Sequence, residues 1–529
     1  MNYEEIEDEF WFIWSGCIRT FQLNNVEWSA DNLDYELDGK EKLACAPTLL
    51  GFVEKSPRQS LTSAGEALVF SRRKDEVFLR QMLKFQIPSP YHIPTNKATT
   101  FCVKPYLELL RLVKTMGTLK FDELRLFGMQ LTDWHKFDDI VGKIERFRRA
   151  KLENKGSYRN FYSEYVRTEL KGIYSRRIAR GETKTRESKD KSLEKFLNTQ
   201  SSNMRDYADA CFRYLRATGL VNVSHEGKSL SIVTERQADV DFILRTVERE
   251  PKVFKSEEEY VEFLRDATTP LLYTDDKEKL LQRLNDEFPN VTIDRWWSVE
   301  RLKDILSCNI EIRKEAELKK QVTEIKNYKL YDDIQHVFKQ IANKELYDAP
   351  LMLEWNTWRA MTMLDGGTIK ANLNFDDFGK PLSTAQGNMA DIVCDYGDFK
   401  VIVEVTMASG QRQYEMESEP VSRHLGKMKT NSDTPCYCLF VSPTINDACV
   451  AHFFGLHHIN ISYYGGKSVI IPLPLDVFQK MLEDSYKASY IPNPVQVKRF
   501  FEQSMQIANS GCNEMEWYEK MKQVAVNWL

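Results

Sequence analysis

Asp391 and Glu404 bracket a segment that reads Asp391-Ile-Val-Cys-Asp-Tyr-Gly-Asp-Phe-Lys-Val-Ile-Val-Glu-Val-Thr406. Two β-rich runs flank Gly397-Asp398, and Gly in the first loop position suits a type II′ two-residue hairpin. Cross-strand partners in such a hairpin have residue numbers adding to 795, as 391 and 404 do. The two carboxylates would then face each other with Cβ atoms roughly 4.5–5.5 Å apart. Like charges so placed destabilise a sheet, and a divalent cation resolves the repulsion. Mg²⁺ is commonly held by one or two carboxylates plus substrate phosphate and water, the arrangement that phosphodiester hydrolysis requires. Strand parity sends Phe399, Val401, Val403 and Val405 towards a core and Lys400, Glu404 and Thr406 to the other face, so Thr406 sits beside Glu404.

The spacing follows a nuclease pattern in which an Asp begins one strand and an acidic-X-Lys triplet ends the next. The triplet here is Glu404-Val405-Thr406, with Thr in place of Lys. Lys would polarise water or stabilise the pentacovalent phosphate, whereas Thr only hydrogen-bonds, so another group or a second metal must supply charge. Glu354 shares a helix face with Leu351, Trp358 and Met361, where it is either a ligand or a charge satisfying helix N-terminal amides. Downstream, Arg412-Gln-Tyr-Glu-Met-Glu-Ser-Glu-Pro-Val-Ser-Arg-His424 places Glu417 where it could join a metal shell, and Arg423 or His424 where they could meet a scissile phosphate. A solvated helix face accounts for the same pattern.

These residues need a scaffold. A helix over 351–364, the hairpin, a helix, strands over 436–441 and 468–472, and a helix from near Leu475 suit a small α/β nuclease core. Upstream, 256–343 is rich in Lys, Glu and Leu at helical spacing, which suggests exposed connecting helices. Nearer the N-terminus, 49–53 and 61–65 read as a β-ribbon across a turn at 56–59, with a helix starting after Thr62 or Ser63. The stretch Cys211-Phe-Arg-Tyr-Leu-Arg-Ala-Thr-Gly219 ends a helix, and 220–223, a turn at 225–228 and 230–233 make a hairpin. Helix followed by β-wing is the winged-helix pattern, which usually places a helix in the DNA major groove and also serves protein contacts. Gly117-Thr-Leu-Lys-Phe-Asp-Glu-Leu124 resembles the start of another helix-turn-helix.

Charge is sorted along the chain. Between Lys143 and Lys195 there are 17 Lys or Arg and 8 Asp or Glu, a net +9 against −5 for the whole chain. A phosphate-contacting element and a solvated helical surface both fit; Arg148, Arg149, Lys151, Arg176 and Arg177, with Lys228 in the second wing, are the candidate DNA contacts. With 529 residues the chain is too long for one core, and 42% hydrophobic with 29% charged residues is ordinary globular composition. The apolar runs are too short to span a bilayer and the first residues are acidic, so a cytoplasmic protein without membrane contact is expected. The ten cysteines are scattered, with the close pair Cys436 and Cys438 lacking partners for a zinc site.

The stretches Leu353-Glu-Trp-Asn-Thr-Trp358, Ala385-Gln-Gly-Asn-Met-Ala-Asp391, Val403-Glu-Val-Thr406, Tyr414-Glu-Met-Glu-Ser-Glu-Pro-Val-Ser-Arg-His424 and Tyr437-Cys-Leu-Phe-Val-Ser-Pro443 resemble the AlwI-type family of type IIS restriction endonucleases, which includes site-specific nicking enzymes. The resemblance extends more weakly to 76–86 and 214–220. It implies a multidomain α+β protein: winged-helix-like recognition domains over 1–135 and 136–254, a helical linker over 255–345, and a restriction-endonuclease-like (PD-(D/E)XK-type) α/β nuclease domain over 346–529. It places the active-site carboxylates on Glu354, Asp391, Glu404 and Glu417 beside Thr406, with Asp391, Glu404 and Glu354 as Mg²⁺ ligands. Relatives lack the Lys too, so Thr406 does not imply inactivity.

The implied activity is Mg²⁺-dependent cleavage of double-stranded DNA at a fixed distance from a short asymmetric site. One carboxylate cluster serves one strand, so the second strand requires a transient homodimer or a second nuclease subunit. A strand-specific nickase, as the large subunit of a heterodimeric enzyme, and a catalytically inactive winged-helix regulator are the competing expectations.

Overall fold

The computed structural model describes residues 48–54, 60–71, 73–91, 101–185, 189–224, 228–343, 345–346, 348–364, 367–385, 389–488 and 493–529. The turn expected at 56–59, residues 225–227 of the turn expected at 225–228, and residues 386–388 of the Ala385 to Asp391 motif lie outside them. The fold is mixed α+β and mostly helical, in two compact units that divide between Asn309 and Ile310.

In the N-terminal unit the helix Ser63–Phe70 begins as expected, with Thr62 Oγ1 accepting the Gly65 amide at 3.0 Å. Helix α1 (Pro105–Met116) leads into strand β1 (Thr118–Lys120) and helix α2 (Phe121–Leu126). After the basic helices Phe137–Glu153 and Tyr158–Ile173 comes α3 (Leu193–Ala217), which buries Phe212, Tyr214 and Leu215. Gly219 follows it at φ 68°, a left-handed conformation that stops the helix and turns the chain into strand β2 (Val221–Val223). Strand β3 (Ser229–Ile232) lies between β1 and β2 in one antiparallel sheet. Leu119 pairs with Leu230, and Val223 pairs with the same residue from the other side. Residues on either side of the boundary expected at 135/136 thus share one sheet. Sequence spacing hides this, because the partners are more than a hundred residues apart.

The segment expected to run as exposed connecting helices is not uniformly exposed. Tyr260 and Leu264 form a buried cluster with Phe254. Lys303 is nearly buried between Glu76 at 3.1 Å and Asp275 at 2.5 Å, and Arg80 closes on Asp275 at 2.9 Å. Buried charges persist only when paired. Helix α4 (Tyr331–Ala342) buries Ile334, Val337, Phe338 and Ile341 in the core of the C-terminal unit. Even charge mixing therefore marked the outer faces of amphipathic helices, whose inner faces are apolar.

The C-terminal unit is built on a five-stranded mixed sheet. Helix α5 (Ala349–Leu364) precedes strands β4 (Thr368–Ala371), β5 (Ile392–Asp395) and β6 (Lys400–Val405). Helix α6 (Gln411–Thr430) leads to strand β7 (Cys436–Ser442), helix α7 (Asp447–His458), strand β8 (Ile470–Pro474) and helix α8 (Leu475–Lys487). The sheet order is β8-β7-β6-β5-β4, with β6, β7 and β8 parallel and β4 and β5 antiparallel to their neighbours. Phe399, Val401 and Val403 pack into the core shared with α4, α5 and α8, whereas Ile402 faces a second core with Val421, Leu425, Phe440 and Phe453. Helices cover both sheet faces, so β6 is apolar on both sides from Val401 to Val403, and Glu404 then interrupts the pattern.

Candidate active site

The β5–β6 hairpin has the expected register. Val403 pairs with Ile392 and Lys400 with Asp395, and continuing that ladder by one pair brings Glu404 opposite Asp391. Tyr396 N–H donates to the Phe399 carbonyl at 3.1 Å across the turn, with Gly397 at φ 83° as a type II′ turn requires. Asp391 lies just beyond the last ladder pair, Val403–Ile392. Its carboxylate Oδ2 accepts the Val405 N–H at 2.8 Å, and its carbonyl accepts the Asn372 amide at 2.9 Å, so it is fixed by both neighbouring strands.

Glu354 reaches the cluster from α5. That helix is held by Asn356, whose Nδ2 donates to the Ile334 carbonyl at 2.9 Å. It is also held by buried Arg359, paired with Asp333 at 2.5 Å and stacked on the Trp355 ring. Glu354 Oε2 accepts the Ala385 amide at 3.0 Å, which is not a bond to the first amides of its own helix. The helix N-terminal alternative for this residue is set aside by that contact.

Glu417 and His424 come from α6, seven residues and so two turns apart on one face. Glu417 Oε1 accepts the Thr406 hydroxyl at 2.6 Å, and His424 Nδ1 lies 2.9 Å from Glu404 Oε1. The sequence did not single out Gln413, the fully buried side chain that seats this helix. Its Nε2 donates to the carbonyls of Ala408 and Thr444 and to Ser442 Oγ, and its Oε1 accepts the Asn446 amide. Gln413 therefore ties the start of α6 to the segments leaving β6 and β7. An apolar-periodicity reading passes over it because it is polar, although it lies four residues before Glu417 on a buried face.

Burial and mutual repulsion set the protonation of these groups. Glu354 is pushed up to about 9 by burial and by Asp391. Asp391 is raised by burial and Glu404, Glu404 by burial and then Glu417 and Glu354, and Glu417 by burial. His424 is lowered to about 4, chiefly by burial and then by Arg423 and Lys427, so its ring is neutral at neutral pH. The hydrogen-bond partners of the four carboxylates are consequently all neutral: two backbone amides, one hydroxyl and one imidazole.

Acid-rich, cation-poor and oxygen-bearing, this donor set fits a hard divalent cation. Among the described residues the one trio of metal-type donors within 4.8 Å of one another lies elsewhere, at Cys102, Asp133 and His135. The ligand atoms of Glu354, Asp391, Glu404 and Glu417 form no such trio in this structure.

Of the expected phosphate contacts, His424 belongs to this cluster, and Arg423 bonds Glu419 at 3.2 Å on the outer side of α6 while acting electrostatically on Glu404. The basic candidates lie in the N-terminal unit with different roles. Arg148 makes a two-pronged pair with buried Glu123, at 2.7 and 2.8 Å, and bonds the Thr118 carbonyl at 2.5 Å. Lys151 covers the Tyr158 ring at 4.0 Å and Arg177 the Phe196 ring at 5.1 Å. Arg149 and Arg176 are exposed, and Lys228 is half-buried with its carbonyl accepting the Phe121 amide at 2.9 Å.

A family model described as AlwI restriction endonuclease matches residues 48–481, most of the chain. No curated protein matches. Among solved structures, the chain is similar to the small subunit (R.BspD6I2) of the heterodimeric restriction endonuclease R.BspD6I. The match has 24% identity, covers 36% of this chain and 98% of that chain, and has a TM-score of 0.32.

Proposed function

Because the chain belongs to the AlwI restriction endonuclease family, and so is a nuclease acting on DNA, we propose that Glu354, Asp391, Glu404 and Glu417 form its cleavage site. In this reading it is a type IIS enzyme that cuts double-stranded DNA at a fixed distance from a short asymmetric site. The observation that carries the reading is the carboxylate cluster at the end of β6, where Glu404 follows the last hairpin pair, Val403–Ile392, and is bonded by His424, while Asp391 accepts the Val405 amide.

Asp391, Glu404 and Glu354 would hold Mg²⁺, which when bound supplies positive charge at the scissile phosphate and lowers the pKa of water. The chain's own residues divide the remaining work. Glu417 fixes Thr406, and Thr406 Oγ1 also accepts the Ala408 amide at 3.0 Å, which shapes the turn leaving β6. With Glu404 ionised, His424 Nδ1 carries the ring proton and donates it to the carboxylate. Nε2 is then left as a buried acceptor without a hydrogen-bond partner. A neutral acceptor held in this way can orient water or take a proton from it. His424 and Arg423 thus supply part of what the missing Lys would.

The N-terminal unit would read the DNA. The order α1, β1, α2, α3 and hairpin β2–β3, closed into one three-stranded sheet, supports a winged-helix assignment, with Arg149 exposed for phosphate. Residues 346–529 would be the cleavage domain of PD-(D/E)XK type. No helix among the described residues is long and apolar enough to cross a membrane, and we place the enzyme in the cytoplasm with its DNA.

The described residues hold one such cluster, which favours as a second reading a strand-specific nickase that relies on another nuclease subunit. Supercoiled plasmid incubated with the protein and Mg²⁺ separates the possibilities. Linear product supports two-strand cutting through a homodimer, and nicked circles that persist at high enzyme support the nickase. Intact plasmid with every divalent metal, alongside site-specific binding, would leave a DNA-binding regulator instead. Run-off sequencing of the products gives site, offset and strand.

A further inference from the structure

The N-terminal unit brings three donors of different chemistry together far along the chain from the carboxylates. Cys102 Sγ and ligand atoms of Asp133 and His135 all lie within 4.8 Å of one another. We propose that Cys102, Asp133 and His135 bind a transition-metal cation, Zn²⁺ by preference, at a site that pins the chain before α1 to the turn after α2.

The backbone that presents these donors is fixed from both sides. Cys102 forms a parallel bridge with Asp133, through its amide to the Thr132 carbonyl at 3.1 Å and its carbonyl to the Trp134 amide at 2.9 Å. The neighbouring residue Val103 bridges Ile87. Asp133 Oδ1 accepts both the His135 amide at 3.0 Å and the ring Nδ1 at 2.8 Å, so the carboxylate also sets the direction of the imidazole. The His135 ring stacks on Trp134 at 3.8 Å, and Arg249, anchored on buried Glu108, covers the Trp134 ring at 4.8 Å.

Donor chemistry selects the cation. Thiolate, imidazole and one carboxylate suit Zn²⁺ and its neighbours, whereas Mg²⁺ takes oxygen ligands. Tetrahedral zinc, with bonds of about 2.0–2.3 Å, sets its ligands roughly 3.3–3.8 Å apart, and these donors lie within 4.8 Å of one another. Cys102 and Asp133 are half-buried and His135 is exposed, so an entry path and a fourth position for water exist.

Co²⁺ is the probe, because cobalt bound to thiolate gives an intense ultraviolet charge-transfer band that carboxylate-bound cobalt lacks. The full chain, stripped of metal and titrated with Co²⁺, is expected to develop this band to one equivalent and to lose it on addition of one equivalent of Zn²⁺. Cys102→Ser should abolish the band. His135→Ala, a surface change that leaves the fold intact, should weaken Co²⁺ binding by more than the roughly 10–100-fold that an outer-shell partner is worth. Cys308→Ser, which removes an exposed thiol, and Asp391→Asn, which alters the carboxylate cluster, should leave it unchanged. Absence of the band, its survival in Cys102→Ser, or its loss in Cys308→Ser would overturn the proposal. None of these outcomes depends on whether the chain cleaves DNA.

Discussion

Replacing Glu354 by Gln is expected to stabilise the protein while stopping cleavage. The carboxyl is nearly buried and its pKa stands at about 9 in the fold against 4.5 for the free side chain. The sign is that of an acid raised on folding: the folded state keeps a proton that the unfolded chain loses at 4.5. Stability from this group therefore falls steadily as pH rises from 4.5 to about 9. At pH 7 the difference spans about 2.5 pH units, or ~3 kcal/mol as an upper figure, since its neighbours share the same repulsion. Gln keeps an oxygen for the Ala385 amide and removes the titration. Urea unfolding followed by tryptophan fluorescence across pH 4 to 9 measures the gap. It should be absent near pH 4.5, widen towards pH 9, and narrow when Mg²⁺ is added, because the cation is held by ionised carboxylates. A variant no more stable than wild type at pH 7, or a gap that ignores pH, refutes the reasoning.

His424 should titrate far below an ordinary histidine. Burial and the charges of Arg423 and Lys427 hold it at about 4, so its ring resonances should show no inflection between pH 8 and 5 by NMR. Because the unfolded chain takes up that proton near 6.5, stability from this group is complete above 6.5 and declines as pH falls towards 4. Among the basic residues, Arg148→Ala should cost about 2 kcal/mol by leaving Glu123 buried without its partner, detectable in the unfolding of the N-terminal unit. Arg149→Ala, at an exposed position, should spare stability and lower the salt slope of DNA binding by about 1. An Arg148 variant of normal stability, or a slope unchanged in the Arg149 variant, would contradict these assignments.

The hairpin's register was legible because it is arithmetic: one Gly-Asp turn fixes that Lys400 meets Asp395 and Val403 meets Ile392. Strand parity likewise separated Val401 and Val403 from Glu404. It gave no sign of the second core around Ile402, since that core is completed by α6 and α7, which lie beyond the strand in sequence. The same limit hid the pairing of β1 with β3, where partners such as Leu119 and Leu230 are remote in the chain. Charge counting could not show that Arg148 pairs with buried Glu123. Gln413 escaped notice because its value lies in four hydrogen bonds to backbone and Ser442, which no spacing rule reveals. The helices over 256–343 looked exposed because composition averages over both faces of each helix.

The most direct test is cleavage by Asp391→Asn. Asn preserves an acceptor for the Val405 amide and so the hairpin, but removes one charge from the proposed cation site. On a mapped DNA site, the variant should bind like wild type in a gel shift with Ca²⁺ and cut at least ~1,000-fold more slowly with Mg²⁺. Cutting at a rate near that of wild type would show that the chemistry resides elsewhere in the chain.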